Sequence, residues 1–153
     1  MANQQIVIFK VDDEMFGINI DQVKEIIAPM EIFKIPNTPS FVQGLINLRG
    51  KIYTILNLRK KFNLAAKESD EHTKIVILNS DSLAVGFIID VVNEIIWIDD
   101  KDIENPPETI KSLNRRYITG VAKLGEKAVL LLDLRLASEI TDDSCQPIGL
   151  NVP

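Results

Sequence analysis

A chain of 153 residues with a formal net charge of −5 and a single cysteine, Cys145, has the size of one domain, and folding at this length buries roughly 68–70% of the surface an unfolded chain exposes. A composition of 46% hydrophobic and 25% charged residues is that of a globular protein, and an acidic balance with Lys and Arg scattered along the chain disfavours nucleic acid as a partner. One cysteine excludes an internal disulfide, the start Met1-Ala2-Asn3-Gln4-Gln5 lacks the features of a signal peptide, and no window is long enough to span a bilayer; a cytoplasmic protein without direct membrane insertion is expected.

In chain order, residues 6–11 and 15–20 form two β-branched runs around Asp12-Asp13-Glu14 and predict a hairpin. Asp21 stands where a helix N-cap belongs, and Val23, Ile26 and Ile27 follow at the i, i+3, i+4 spacing of a helix face, so a short helix ending at Pro29 is predicted. Residues 31–35 read as a strand and Pro36-Asn37-Thr38-Pro39 as a loop, with Ser40 capping a brief turn before Gly44.

Two apolar strands then meet at Arg49-Gly50, where glycine tolerates positive φ, and the turn leaves Arg49 exposed. Arg59-Lys60-Lys61-Phe62 is predicted as an exposed basic turn, and residues 65–72 as a polar connector. Strands are predicted at residues 73–78 and 83–89, Asp90 as a second helix cap, and Val92, Ile95 and Ile96 as a second aliphatic helix face. Residues 141–153, polar and without periodicity, read as a flexible tail.

The chain repeats itself. Residues 44–59 match residues 120–135 without a gap at an offset of 76, pairing Gly44 with Gly120, Asn57 with Asp133 and Arg59 with Arg135. Residues 16–27 match residues 85–96 at an offset of 69, so the second copy has gained seven residues, which fall between positions 97 and 119. Two copies with the same order of elements imply duplicated halves, and many short strands between tight turns point to closed antiparallel barrels.

The search for chemistry returns little. His72 is the only histidine and lies in the connector, so neither a metal cluster nor a histidine relay can be assembled in one chain. Cys145 lacks a neighbouring base, and the carboxylate pairs Asp12-Asp13, Asp99-Asp100 and Asp142-Asp143 fall in turns, where solvation explains them better than acid–base catalysis does. Neither phosphate-binding glycine motif is present. What remains is a stiff β scaffold with exposed apolar and arginine positions, as in an interaction module; Arg49 is its sharpest candidate because a guanidinium on a hairpin tip can make forked contacts, although composition alone favours a solvated turn residue there.

At these residues the sequence closely resembles the CheW family of bacterial chemotaxis coupling proteins. The resemblance rests on FGINIDQVKEI at residues 16–26, IPNTPSFVQGLINLRGKI at 35–52, ILNLRKKF at 55–62, VGFIIDVVNEI at 85–95 and YITGVAKLGEKAVLLLDL at 117–134. It implies a mainly β fold of two five-stranded SH3-like barrels, with short helices, packed around a third hydrophobic region. One such domain would span residues 1–140, with segments of the two barrels interleaved. It also implies a non-enzymatic adaptor without cofactor, binding the cytoplasmic tip of methyl-accepting chemotaxis receptors and the regulatory domain of the histidine kinase CheA in membrane-associated arrays. A related adaptor of another receptor–kinase pathway, such as pilus motility, is the alternative. Carried over by motif, receptor binding falls on Val23, Glu25 and Arg49, with Ile26, Ile27 and Leu45 from the same patch. The kinase-binding residues stay unassigned.

Overall fold

The structure, a computed structural model, describes residues 3–11, 14–62, 70–106 and 117–138. Its strands are β1 (Asn3–Val11), β2 (Glu14–Asn19), β3 (Val23–Ile27), β4 (Val42–Leu48), β5 (Lys51–Asn57), β6 (Lys74–Leu78), β7 (Val85–Ile89), β8 (Val91–Asp99), β9 (Ile103–Glu104), β10 (Ile118–Leu124) and β11 (Lys127–Leu132). Two one-turn helices, α1 (Leu58–Lys61) and α2 (Leu134–Ala137), follow β5 and β11.

The strands form a six-stranded sheet in the order β8-β1-β2-β11-β10-β9 and a five-stranded sheet in the order β3-β6-β7-β5-β4. The offset of 69 carries β1, β2 and β3 onto β6, β7 and β8, and the offset of 76 carries β4, β5 and α1 onto β10, β11 and α2. Applied to the first sheet, the exchange reproduces the second strand for strand, with β9 left over. Each sheet therefore combines a hairpin from one copy with three strands from the other.

The register obeys the same exchange. The parallel pairs Leu130↔Phe16 and Leu131↔Gly17 recur as Thr54↔Val85 and Ile55↔Gly86. The antiparallel pairs Ile6↔Ile96 and Val7↔Ile95 recur as Ile75↔Ile27 and Val76↔Ile26. Each copy also opens its hairpin with a bulge before Gly44 or Gly120. At Gly44, φ is +145° and a Cβ would lie 2.3 Å from the Phe33 carbonyl oxygen, so only glycine fits.

Burial explains why the central strands are apolar throughout. Along β1, Ile6 and Ile8 face a cluster inside the six-stranded sheet with Ile98, Val129 and Leu131, while Val7 and Phe9 face a larger cluster between the sheets. Along β6, Ile75 and Ile77 face a third cluster with Ile46, Tyr53 and Ile55, while Val76 and Leu78 join the shared one. Alternate side chains of one strand thus fill two cores. Each such aliphatic, fully buried, contributes about 1.5–3 kcal/mol. The mainly β fold around three hydrophobic regions is the one expected.

Helix α1 closes the seam. Phe62, just after it, stacks on Phe16 at 5.3 Å between ring centroids and lies 6.4 Å from Tyr117, and Phe16 stacks on Phe9 at 5.9 Å. The side chains of Asn57 and Asp133, paired by the repeat, cap α1 and α2 by accepting from backbone N–H groups.

Four sequence-based expectations are corrected. Residues 23–27 and 91–99 are the strands β3 and β8, not helices; the caps Asp21 and Asp90 fall away, and a 3-10 turn at Ile20–Gln22 is capped by Asn19 instead. These segments are rich in β-branched residues, and each pairs along a central strand of the other copy, which fixes them as extended. Residues 31–35 do not form a strand: between Pro29 and Pro36 the strand pairing is a single bridge, Phe33 to Leu45, made by two 2.8 Å backbone hydrogen bonds.

The stretch from Arg59 to Phe62 is not an exposed turn. Arg59, Lys61 and Phe62 are buried, because Arg59 pairs with Asp90 and the Lys61 ammonium sits 3.9 Å from the centre of the Phe41 ring and 5.2 Å from that of Tyr117. The tail from residue 141, Cys145, Asp12-Asp13, Asp142-Asp143 and most of the connector lie outside the described residues. His72 is solvated, its side chain 62% exposed beside Glu71.

Candidate protein-interaction site

Strand β3 and hairpin β4–β5 position the sequence-derived candidates. At the tip, Arg49 (φ 53°) and Gly50 (φ 88°) both adopt positive φ, and Asn47 Oδ1 accepts from Gly50 N at 2.9 Å. Both central residues of a two-residue turn are thus left-handed, which matches the twist of the flanking strands.

That side chain forms an ion pair with Glu25, whose carboxylate accepts from Arg49 Nη2. Strands β3 and β4 are the first and last strands of the five-stranded sheet, so the pair links the strand at one edge to the hairpin tip at the other. Strand register places Glu25 opposite Ile77 and Ile27 opposite Ile75, on the inner face. Glu25 is therefore a carboxylate at the barrel mouth, 27% exposed at its side chain, and Arg49 is its lid, 68% exposed.

The apolar candidates divide. Val23 and Ile26 pack against the cluster between the sheets, Ile27 against the cluster inside the five-stranded sheet, and Leu45 lies half-buried beside Phe33. The structure brings Glu25 and Arg49 together at the centre, with Val23 and Ile26 along the seam on one side and Leu45 on the other. Position 125, the repeat equivalent of Arg49, is glycine, so the second copy has no counterpart of the ion pair even though Glu94 stands at the place of Glu25.

Sequence reasoning missed the most exposed apolar side chains, Trp97, Phe33, Ile52 and Ile95. The motif that pointed to Arg49 is a turn motif, and nothing in periodicity separates an outward Ile95 from its inward neighbours. Among the described residues no group of three His, Cys, Asp or Glu could hold a metal ion, and no helix is long and apolar enough to cross a membrane.

A duplicated β scaffold with a clamped hairpin tip and large apolar side chains left in solvent belongs to the class of protein-interaction modules. A family model described as a CheW-like domain matches residues 5–140. The chain is 36% identical to the chemotaxis protein CheW of Klebsiella aerogenes over 90% of this chain and 84% of that one. It is 38% identical to the chemotaxis protein CheW of Treponema pallidum over 85% of this chain and 79% of that one. The crystal structure of the scaffolding protein TtCheW from Thermoanaerobacter tengcongensis superposes with a TM-score of 0.84 at 33% identity, covering 92% of this chain and 96% of that one. The chain belongs to the CheW-like family and has the role of an adaptor in chemotaxis.

Proposed function

We propose that the chain couples methyl-accepting chemotaxis receptors to the histidine kinase CheA, without catalysis or cofactor of its own, and that it works in the cytoplasm, recruited to receptor arrays at the membrane. The observation that carries the receptor site is the Glu25–Arg49 pair at the barrel mouth. A guanidinium with most of its surface in solvent can keep one carboxylate and still offer N–H donors to a second partner. Val23 and Ile26, on the face of β3 toward the cluster between the sheets, supply apolar surface beside it, Ile27 lies on the opposite face, inside the five-stranded sheet, and Leu45 supplies apolar surface on the hairpin side.

The test is kinase autophosphorylation with the cognate CheA and receptor-containing membranes, comparing the wild-type chain with Arg49→Glu. Receptor-dependent activation by wild type, lost in a variant that melts normally, supports the reading. A wild-type chain that binds neither partner overturns it.

A further inference from the structure

One end of the six-stranded sheet is built differently from its counterpart around Arg49. Because β2 and β11 run parallel, the β1–β2 and β10–β11 turns lie at the same end of that sheet. Met15 packs on the cluster inside the sheet, and Lys10, its cross-strand partner, shares its face. Lys127 stands two positions before Val129 of the same cluster, so the period of two places it on that face as well. A cavity of about 500 Å³ opens at this end, lined among the described residues by Lys10, Glu14, Met15, Asn93, Lys127 and Ala128. That is the size of a small-molecule site.

At the matching end of the five-stranded sheet the cations are taken up within the chain. Arg49 pairs with Glu25, and the Lys51 ammonium sits 5.3 Å from the centre of the Tyr53 ring. The offset of 76 carries Arg49 to Gly125, Lys51 to Lys127 and Tyr53 to Val129, so the second copy keeps the lysine and loses both the lid and the ring. The offset of 69 carries Lys10 to Asn79, so this lysine has no twin. Neither Lys10 nor Lys127 has an ion pair or a ring contact among the described residues. Glu14 does not compensate them: it pairs with Val11, whose side chain belongs to the cluster between the sheets, so its carboxylate starts from the opposite face, at the rim. Among the described residues Glu94, the counterpart of Glu25, is not part of the lining.

We propose that this cavity binds a small organic dianion, a straight-chain dicarboxylate, with one carboxylate on Lys10 and the other on Lys127. Strand β2 lies between β1 and β11, so the two lysines rise from backbones about 10 Å apart, twice the strand spacing. A compact anion reaches one of them. Two carboxylates joined by a short chain reach both, and that chain crosses Met15, which β2 places between the lysines. Asn93, which the bulge in β8 leaves without an opposite residue, adds an amide donor at the wall. Ammonium–carboxylate hydrogen bonds are charge-assisted, so each end of the ligand carries a large share of the affinity. The inference goes beyond the coupling role, and its test needs neither kinase nor receptor.

The test is NMR titration of the purified full chain at constant ionic strength with succinate, glutarate and adipate in turn, following the Met15 methyl, the Asn93 side-chain amide and the Cε resonances of both lysines. At least one of the three should give saturable shifts at all of these positions. Butyrate, with one carboxylate, and inorganic phosphate, with its charge at one point, should each bind at least about tenfold more weakly. Lys10→Gln and Lys127→Gln, checked for folding by thermal melting, should each weaken the dicarboxylate by a similar factor, whereas Lys51→Gln, at the matching position of the first copy, should leave it unchanged. Shifts that saturate with none of the three, butyrate or phosphate binding as tightly as the best dicarboxylate, or either lysine variant binding like wild type would each overturn the proposal.

Discussion

Arg59 Nη2 lies 3.0 Å from Asp90 Oδ2, the two side chains are only 10% and 12% exposed, and they come from different copies of the repeat. Arg59 Nε also donates to both carboxylate oxygens, at 3.2 and 3.3 Å. Helix α1 of the first copy is thereby tied to the start of β8 in the second. The reverse tie uses other chemistry: Gln22 Oε1 accepts from Leu134 N at 2.7 Å, while Arg135 and Asp21, the repeat equivalents of Arg59 and Asp90, are both exposed. Removing one partner of a buried pair strands the other charge, so Arg59→Met is expected to cost about 3–5 kcal/mol. The double variant Arg59→Met/Asp90→Leu should recover much of that loss. Urea unfolding of the two single variants and the double variant measures both values; an additive double variant would show that the pair is not the source of the cost.

Glu25 and Arg49 make the opposite case. The guanidinium is 68% exposed, so solvent screens the attraction, and Arg49→Glu is expected to change stability by no more than about 1 kcal/mol. Its effect should appear in receptor-dependent kinase activation. The charge swap Glu25→Arg/Arg49→Glu separates two roles. If the pair acts only by closing the barrel mouth, the swap restores activation; if Arg49 itself meets the receptor, the swap stays inactive. The second outcome is expected, because most of the Arg49 side chain faces solvent.

The hairpins and the duplication were legible in the sequence because strand alternation and glycine turns are local signals; helices α1 and α2 were not, although Asn57 and Asp133, which cap them, stand at matched positions. Strands β3 and β8 were not, for a physical reason. The register shift in β3 leaves Lys24 without an opposite residue, so Val23 and Ile26 face the same core although they are three positions apart. A bulge turns the period of two into a spacing of three, which in sequence is the signature of a helix face. Strand β8 carries the same shift at Asn93, between Val92 and Ile95. The burial of Arg59 was equally hidden, since its partner lies 31 residues away in the other copy. Of the candidate site, the exposed Arg49 tip could be read from the turn, but its contact with Glu25 could not, because those strands meet only when the sheet curls.

Gly17 and Gly86 hold equivalent places, each beside the parallel pairing of its sheet. A Cβ at Gly17 would meet Ile6 Cγ2 at 2.7 Å and Val129 Cγ1 at 3.0 Å, whereas at Gly86 the nearest atoms are at 3.0 Å. Neither position needs an unusual φ, so the penalty is overpacking alone. Gly17→Ala is expected to cost roughly 1–3 kcal/mol and Gly86→Ala less, since its neighbours need to yield only a few tenths of an ångström. Thermal melting of the two variants checks the ranking, and equal or reversed losses would contradict it.

Lys123 titrates above its ordinary 10.5, because its ammonium donates to the Glu104 carboxylate and is held by that charge, with a smaller contribution from Asp102. A raised lysine pKa in the folded chain means that the pair's contribution is complete below the unfolded value and is lost as pH climbs through the folded one. The effect therefore belongs to alkaline pH, and the lysine's protonation should not change the pair's contribution until pH exceeds about 9. Following the Lys123 Cε resonance by NMR through an alkaline titration should show Glu104→Gln bringing the midpoint down towards the ordinary lysine value. Because both side chains are more than half exposed, the same titration in high salt should shrink the difference between wild type and variant, and an undiminished difference would mean that the hydrogen bond, not the charge, holds the proton.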